Sequence, residues 1–163
     1  MILQCNSKAV TKAAGVTNRY DLTNGICAYW QDASAVHKFF IDEVQDGIED
    51  GRQHEVTVNK LWSLLHRVEA VISSTRLVDG TLENEVTARE LLPTWSGFYG
   101  GNLNYDSSYW EALIYTRDQL RRILDSVQKV CYLPFEEDGI TYCDWMPIGE
   151  DDWAVRFTYR TRK

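Results

Sequence analysis

The chain has 163 residues, of which 44% are hydrophobic and 25% are charged, and these values are ordinary for a globular protein. A chain of this length can bury a core without disulfides, so we expect one domain over 1–163. It contains no apolar run of about 18 residues, which excludes a transmembrane helix, and it starts without the pattern of a secretory signal. The net charge of −7 argues against direct DNA or RNA binding, because phosphate backbones require clustered lysine and arginine.

Short catalytic and metal-binding motifs are missing from the sequence. There is no Cys-x-x-Cys pair, no His-Glu-x-x-His helix, no Gly-x-Ser-x-Gly elbow and no Gly-x-x-x-x-Gly-Lys phosphate loop. The cysteines, which we expect to be reduced thiols of a cytoplasmic protein, are Cys5, Cys27, Cys131 and Cys143. The sequence therefore predicts no metal and no cofactor, and any site has to be assembled from distant residues.

The first third of the chain predicts one amphipathic helix after a loosely patterned segment. Residues 1–28 contain turn residues and no firm period, which favours irregular or strand-like structure. Apolar residues then recur every four positions over 33–50, as Val36, Phe40, Val44 and Ile48. We expect Asp32 or Ser34 to cap this helix and Gly51 to end it.

Further helices follow in the middle of the chain. The apolar positions of 58–74 repeat with helical spacing after Thr57, which can cap the first turn. A short helical turn over 87–92 ends before a proline, because proline lacks the N–H group that a helix needs. The longest helix is predicted over 107–130, with Asp106 as its cap.

The character of the sequence changes from helical to extended after residue 130. The segments 140–145 and 153–160 carry strand signals, and the turn residues between them favour a β-hairpin. The sequence therefore predicts an α+β fold. Its expected parts are an irregular segment over 1–28, a three-helix core over 29–130, and a C-terminal β-hairpin or small antiparallel sheet over 131–163.

Two blocks of the sequence carry a family resemblance. The first contains Tyr29-Trp30, Ala35-Val36-His37-Lys38-Phe39-Phe40 and Val44-Gln45-Asp46-Gly47, and the second contains Glu90-Leu91-Leu92-Pro93-Thr94, Ser96-Gly97-Phe98-Tyr99-Gly100, Tyr105-Asp106 and Tyr109. Together they resemble a family of small bacteriophage and prophage proteins with YW…AIHKWF…VQ and LLPT.SGFFFG…YDEYY blocks. The resemblance implies a protein of the infected bacterial cytoplasm that counters host defence. The chain departs from the family through Ser107, and through about 28 additional residues before the first block and about 35 after the last helix.

Residues of these blocks and of the last helix form the candidate ligand site. The blocks lie near the predicted starts of two helices, where unpaired N–H groups and the helix dipole favour anions. Aromatic rings can stack on a nucleobase, and arginines one helical turn apart can bind phosphate. The expected ligand-binding residues are Trp30, His37, Tyr99, Tyr105, Tyr109, Arg117 and Arg121. The sequence thus favours a non-enzymatic protein that binds and sequesters a small nucleotide-like signal.

Other interpretations compete with this one. An acidic face could block a basic surface of a host defence nuclease, in the manner of an anti-CRISPR protein, through Asp42, Asp46, Glu49 and Asp50. An enzyme that destroys a nucleotide could use Glu43, Asp46, Asp106 and His37, although their spacing gives no specific support. The aromatic residues could instead fill a core. Aromatic and terminal-strand surface also offers self-association into a homo-oligomer.

Overall fold

The computed structural model describes residues 1–96, 101–130, 135–137, 140–142 and 155–161. Within these ranges the chain combines six helices with eight strands, the mixed α+β composition that the sequence predicts. The helices are α1 (Lys8–Ala13), α2 (Arg19–Thr23), α3 (Ser34–Val44), α4 (Val58–Ser74), α5 (Val86–Leu91) and α6 (Ser107–Val130). The strands are β1 (Ile2–Cys5), β2 (Ile26–Tyr29), β3 (His54–Val56), β4 (Arg76–Val78), β5 (Thr81–Glu83), β6 (Phe135–Glu137), β7 (Ile140–Tyr142) and β8 (Phe157–Arg160).

The N-terminal segment is more regular than its turn-rich sequence predicts. It contains β1, α1, α2 and most of β2, and β1 pairs antiparallel with β2. Ser7 caps α1 by accepting a hydrogen bond from the Val10 N–H group. Gly25 closes the turn into β2, because its φ is +65° and a Cβ atom there would lie 2.1 Å from the Cys5 carbonyl oxygen. The strand-like alternative predicted for 1–28 is therefore confirmed by β1 and β2, whereas the short helices α1 and α2 were not predicted.

The main sheet is antiparallel and has the strand order β2-β1-β8-β3. In β8, Tyr159 lies opposite both Leu3 of β1 and His54 of β3. The predicted C-terminal hairpin is wrong, because β8 pairs on both sides with strands from the first third of the chain and β7 pairs with β6. Phe157 and Tyr159 are fully buried, so the apolar face of β8 seats this strand in the core. The predicted turn before β8 lies outside the described residues.

The periodic segments in the middle of the chain form the predicted helices. The ranges of α4 and α6 are the predicted 58–74 and 107–130, and α5 overlaps the predicted helical turn. Thr57 caps α4, with its hydroxyl oxygen 3.3 Å from the Lys60 nitrogen. Strong apolar periodicity and a capping residue therefore identify helices correctly here.

The first predicted helix is shorter than its sequence pattern suggests. Its structural counterpart α3 ends at Val44, before two residues with left-handed backbone, Asp46 with φ 51° and Gly47 with φ 79°. The Gly47 N–H group donates to the Ile41 carbonyl oxygen at 2.9 Å and closes the turn. Ile48, the last member of the predicted apolar stripe, is consequently 67% exposed.

A cluster of buried side chains joins the main sheet to the helices. It includes Leu3 of β1, Phe40 of α3, Leu61 of α4, Leu120 of α6 and Tyr159 of β8. Helix α6 packs against α1 and α4, and α4 also packs against α3 and α5. Among the described residues, no helix has the length and apolarity needed to cross a bilayer.

Helix α6 fixes the end of β2, from which the chain enters α3. The Tyr115 hydroxyl accepts a hydrogen bond from the Tyr29 backbone N–H at 3.2 Å. One residue further along α6, the Thr116 hydroxyl accepts from the Trp30 indole N–H at 2.8 Å. These two bonds hold the connection between β2 and α3 in one place.

Candidate functional site

A cleft of about 210 Å³ opens where β2 leads into α3. Its walls include the end of β2, the following turn, the first turn of α3, Gly101 and Thr161. Two of the predicted ligand-binding residues, Trp30 and His37, line this cleft. Trp30 and His37 thus share one cavity, whereas the predicted residues Arg117 and Arg121 line a separate groove.

The start of α3 borders this cleft without a side-chain cap. Ala33 occupies the N-cap position and makes no side-chain hydrogen bond to the first turn. The Ser34 hydroxyl donates instead to the Asn102 carbonyl oxygen, at 2.7 Å. The prediction that Asp32 or Ser34 caps this helix is therefore wrong. Because the first N–H groups of a helix have no intrahelical acceptor, this wall of the cleft offers hydrogen-bond donors.

His37 forms another wall and is held by two buried partners. Its Nδ1 atom lies 2.5 Å from the Tyr159 hydroxyl oxygen, and its Nε2 atom lies 2.8 Å from Oε1 of Glu49. A neutral imidazole fits both contacts, because Nδ1 then accepts from the phenol and Nε2 donates to the carboxylate. Burial lowers the pKa of His37, although the neighbouring Glu49 acts in the opposite direction. Burial also raises the pKa of Tyr159, so the phenol keeps its proton.

Aromatic packing keeps the imidazole of His37 in a fixed orientation. The rings of Phe40 and Tyr159 are stacked, with their centroids 4.0 Å apart. The Trp95 ring centroid lies 5.7 Å from that of His37. Since both nitrogens of His37 are bonded within the protein, only the carbon atoms of its ring can contact a ligand. His37 thus shapes the cleft and leaves polar contacts to other residues.

Two neighbouring aromatic residues line the cleft in different ways. Trp30 is 2% exposed, and its indole N–H is already bonded inside the protein, so it lies against the core. Tyr29 is 46% exposed. Tyr29 was not among the residues predicted from the sequence to bind a ligand. Alternation along β2 could have indicated that Tyr29 and Trp30 face opposite ways, but it does not tell which of them is exposed.

Two polar side chains of the lining lack partners within the described part of the chain. The Thr161 hydroxyl oxygen is buried and has no hydrogen bond. Asp32 is exposed and has a left-handed backbone with φ 55°, uncommon for a residue other than glycine. No lysine or arginine belongs to the described lining. The described lining therefore presents the Asp32 carboxylate to solvent, keeps the Thr161 hydroxyl buried behind it, and includes the Met1 amino group, which donates to the Trp30 carbonyl oxygen at 2.9 Å.

Tyr105 and Tyr109 are structural residues at the junction of α5 and α6. Both are 6% exposed, and their ring centroids lie 4.9 Å apart. The Tyr109 hydroxyl donates to the Leu92 carbonyl oxygen at 3.0 Å, and the Tyr105 hydroxyl accepts from the Thr94 N–H at 3.2 Å. The Arg89 guanidinium lies 4.5 Å from the Tyr105 ring centroid. These contacts use both phenols inside the protein.

The arginines expected to bind phosphate lie in a groove between α4 and α6. Arg117 and Arg121 line this groove, of about 400 Å³, together with Glu69 and neighbouring residues of α4. Arg121 is paired with Glu69 at 2.6 Å, and Arg117 with Asp118 at 2.8 Å. They do not belong to the lining of the cleft beside His37. Tyr99, the remaining predicted residue, lies outside the described residues, as does Phe98.

The acidic residues of the inhibitor interpretation are mostly bound by neighbouring groups. Asp42 pairs with a lysine one helical turn before it, at 2.7 Å. Asp50 lies 2.8 Å from the imidazole of His54. The Glu49 side chain is 7% exposed, so this carboxylate belongs to the interior of the cleft wall. Asp46 is exposed at the turn that ends α3.

Two of the three carboxylates of the enzyme interpretation, Glu43 and Asp106, also have structural partners. Glu43 contacts Lys60 and Arg67 at 2.6 Å each, which lowers the pKa of Glu43. Asp106 accepts hydrogen bonds from the backbone N–H groups of Ser108 and Tyr109, so it caps α6. Among the described residues, no three histidine, cysteine, aspartate or glutamate side chains are grouped as a metal site.

The described cysteines are reduced and buried. Cys5 and Cys27 are free thiols on the neighbouring strands β1 and β2. Burial raises the pKa of Cys5 to about 11 and raises that of Cys27 as well. A thiol of this kind is a poor nucleophile at neutral pH. Cys131 and Cys143, which the sequence also predicts to be reduced thiols, lie outside the described residues.

No family model matches the chain, and neither the curated proteins nor the solved structures contain a significant match. The function is therefore argued from the cleft itself.

Proposed function

We propose that the protein binds a small nucleotide-like molecule in the cleft beside His37 and acts by sequestering it. The observation that carries this proposal is the cleft of about 210 Å³ lined by Trp30 and His37. Both residues belong to the sequence block that resembles the phage family. Concave sites with aromatic walls and a few polar groups are the usual form of small-molecule sites.

The size of the cleft limits what it can enclose. Sites for drug-sized ligands typically have volumes of about 300–1,000 Å³. At about 210 Å³, the cleft suits a nucleoside-sized group that stays partly exposed, with the rest of a larger ligand extending into solvent. This size favours partial enclosure of a nucleotide over burial of a dinucleotide.

The contacts of the titratable residues favour binding over catalysis. Both nitrogens of His37 are engaged by Tyr159 and Glu49. A general base needs an available nitrogen or oxygen within reach of the substrate proton. The Asp106 carboxylate accepts hydrogen bonds from the first turn of α6 and therefore serves as the cap of that helix. We infer a protein that holds its ligand without changing it.

The biological setting of the proposal comes from the family resemblance. A phage-type protein that sequesters a nucleotide-like signal in the infected host cytoplasm would deprive a bacterial defence system of its messenger. The inhibitor interpretation receives less support, because Asp42, Glu49 and Asp50 are bound by neighbouring cations or histidines. A complementary acidic interface works best with charges that are available to the partner.

The test is a thermal-shift screen against linear and cyclic nucleotides, followed by mass spectrometry of the recovered ligand. A ligand at 100 times its dissociation constant should stabilise the protein by about 2.7 kcal/mol, a readily visible shift. Recovery of the unchanged ligand supports sequestration, whereas recovery of a product would contradict it. Absence of any shift would favour the acidic inhibitor instead.

A pair of variants connects the screen to the cleft. Gln31→Trp adds bulk to an exposed residue of the lining and should abolish the ligand-induced shift. Gln53→Trp makes the same change at an exposed glutamine of the segment before β3 and should leave the shift intact. Equal behaviour of the two variants would place the ligand elsewhere.

A further inference from the structure

The groups that line the cleft divide into an exposed aromatic ring, an exposed carboxylate and buried hydrogen-bonding groups. This division resembles the parts of a ribonucleoside more closely than those of a phosphate group. Resting on the proposed function, we propose that the cleft recognises the ribonucleoside end of its ligand. Tyr29 stacks on the base, Asp32 binds the ribose hydroxyls, and any phosphates point into solvent.

Tyr29 is suited to be the stacking residue. Its ring is 46% exposed although its backbone is held on both sides. The residue pairs with Ile2 of β1, and its N–H donates to the Tyr115 hydroxyl at 3.2 Å. An exposed ring on a fixed backbone gives a planar base a platform at little cost in ordering.

Asp32 is suited to bind a diol. An ionised carboxylate only accepts hydrogen bonds, and two neighbouring hydroxyls donate two of them. Asp32 is exposed in the turn between Tyr29 and α3, with φ 55°. In dinucleotide-binding folds, a carboxylate at the end of a strand binds a ribose hydroxyl, so an aspartate side chain can perform this role.

The inner part of the cleft offers groups that match the edge of a base. The Thr161 hydroxyl oxygen is buried without a hydrogen-bond partner in the described structure, and a hydroxyl both donates and accepts. This oxygen is closed to solvent, so the Thr161 side chain has to rotate toward the cleft before a polar ring edge can pair with it. Such a pairing would relieve the cost of a buried polar atom without a partner. The carbon atoms of His37 and the Trp30 ring supply the apolar wall for such a ring.

The charge of the cleft argues against phosphate inside it. Asp32 is negative, and the described lining contains no lysine or arginine. The Met1 amino group also belongs to the lining, but it already donates to the Trp30 carbonyl oxygen at 2.9 Å. Tight phosphate sites use charge-assisted bonds from several cationic side chains, and Arg117 and Arg121 line the separate groove between α4 and α6. The proposal therefore places a phosphate carried by the ligand outside the cleft.

Isothermal titration of the full chain with four ribonucleosides, their 2′-deoxy forms and their 5′-monophosphates tests the proposal. One ribonucleoside should bind, its monophosphate should bind with similar affinity, and its 2′-deoxy form should bind about tenfold more weakly, because it lacks one hydrogen bond to a charged group. Asp32→Asn should remove the preference for ribose, and Tyr29→Ala should weaken ribose and deoxyribose ligands alike by about tenfold.

Matched controls separate these effects from damage to the fold. Asp79→Asn changes another exposed aspartate with left-handed backbone, φ 48°, and Tyr20→Ala removes another exposed tyrosine, 62% exposed. Both controls should bind like the unchanged protein. Unfolding midpoints of all four variants show whether any loss of binding reflects unfolding.

The outcomes distinguish failure of this inference from failure of the proposed function. Binding of a nucleotide that Gln31→Trp abolishes, but that Asp32→Asn and Tyr29→Ala leave unchanged, overturns the inference alone. A monophosphate that binds far more tightly than its nucleoside also overturns the inference and leaves the proposed function standing. Absence of binding by every nucleoside and nucleotide overturns both proposals.

Discussion

Two helices of this protein begin after similar sequences and end up with different environments. α3 begins at Ser34 after Asp32-Ala33, and α6 begins at Ser107 after Asp106. At α6, the Asp106 carboxylate accepts from the N–H groups of Ser108 and Tyr109 at 3.0 and 3.2 Å, and Asn102 donates to it at 2.9 Å. At α3, the N-cap residue Ala33 makes no side-chain hydrogen bond.

The backbone before each helix explains the difference. Asp32 has a left-handed φ of 55°, so the N-cap position falls on Ala33, which has no capping group. Asp106 caps α6 itself. Hydrogen bonds to its carboxylate, of which that from Asn102 has the largest effect, lower the pKa of Asp106. A helix start whose N–H groups are bonded within the chain is structural. The start of α3 has no side-chain cap and borders the cleft.

The largest contrast is expected between the two aromatic residues before α3. Trp30→Ala should destabilise the protein by about 3–5 kcal/mol, because it empties a buried site and removes the bond to Thr116. Tyr29→Ala, at an exposed ring, should cost less than about 1 kcal/mol. Urea denaturation of both variants checks this. Equal losses would mean that Tyr29 is part of the core and cannot serve as a ligand platform.

A smaller contrast is expected between the two aspartates. Asp106→Ala removes a helix cap and should cost about 1–2 kcal/mol. Asp32→Asn keeps a residue that tolerates left-handed backbone and should change stability by less than about 0.5 kcal/mol. The free energy of unfolding from denaturant titration measures both. A large loss for Asp32→Asn would show that Asp32 stabilises α3 after all.

The pH dependence of stability tests the buried wall of the cleft. Because burial lowers the pKa of His37 below its unfolded value of about 6.5, the unfolded chain binds a proton more readily. The contribution of His37 is therefore fully present above pH ~6.5 and is lost as the pH falls toward the folded pKa, with a slope below about 1.4 kcal/mol per pH unit.

Variants assign this slope to one residue. His37→Gln should flatten the pH dependence between about pH 6.5 and the folded pKa. His66→Gln, at an exposed histidine of α4, should leave the slope unchanged. An unchanged slope in His37→Gln would contradict the neutral, buried imidazole that holds Tyr159 and Glu49.

The smallest effect is expected in the groove between α4 and α6. Arg121→Ala breaks an exposed ion pair with Glu69, so the loss should stay below about 0.5 kcal/mol. It should also leave any ligand-induced stabilisation intact, since Arg121 does not line the cleft beside His37. Loss of ligand binding in this variant would move the site to the groove.

The helices were the most predictable part of the fold. Their signals are local: α4 and α6 have strong apolar periodicity and side-chain caps at Thr57 and Asp106. The end of α3 was not predictable, because it depends on the left-handed residues Asp46 and Gly47 within a continuing apolar pattern. The alternation in β8 indicated a strand but not its neighbours, since partners are chosen by long-range burial.

The candidate site was predictable only in part. His37 and Trp30 were recognised from their sequence block, and both line the cleft. The partners of His37 come from Tyr159 and Glu49, which no local spacing connects to it. Tyr29 is exposed and Trp30 is buried, and this difference is visible only in the folded chain.

The position of β8 in the sheet has a consequence for the order of folding. In the described structure, β3 has β8 as its sheet neighbour, about 100 residues later in the chain. β1 also pairs with β8, across an even longer separation. Closing such long loops costs entropy before any contact repays it. We therefore expect the helices to form early and the sheet to close last, so that Tyr159 reaches His37 in a late step of folding.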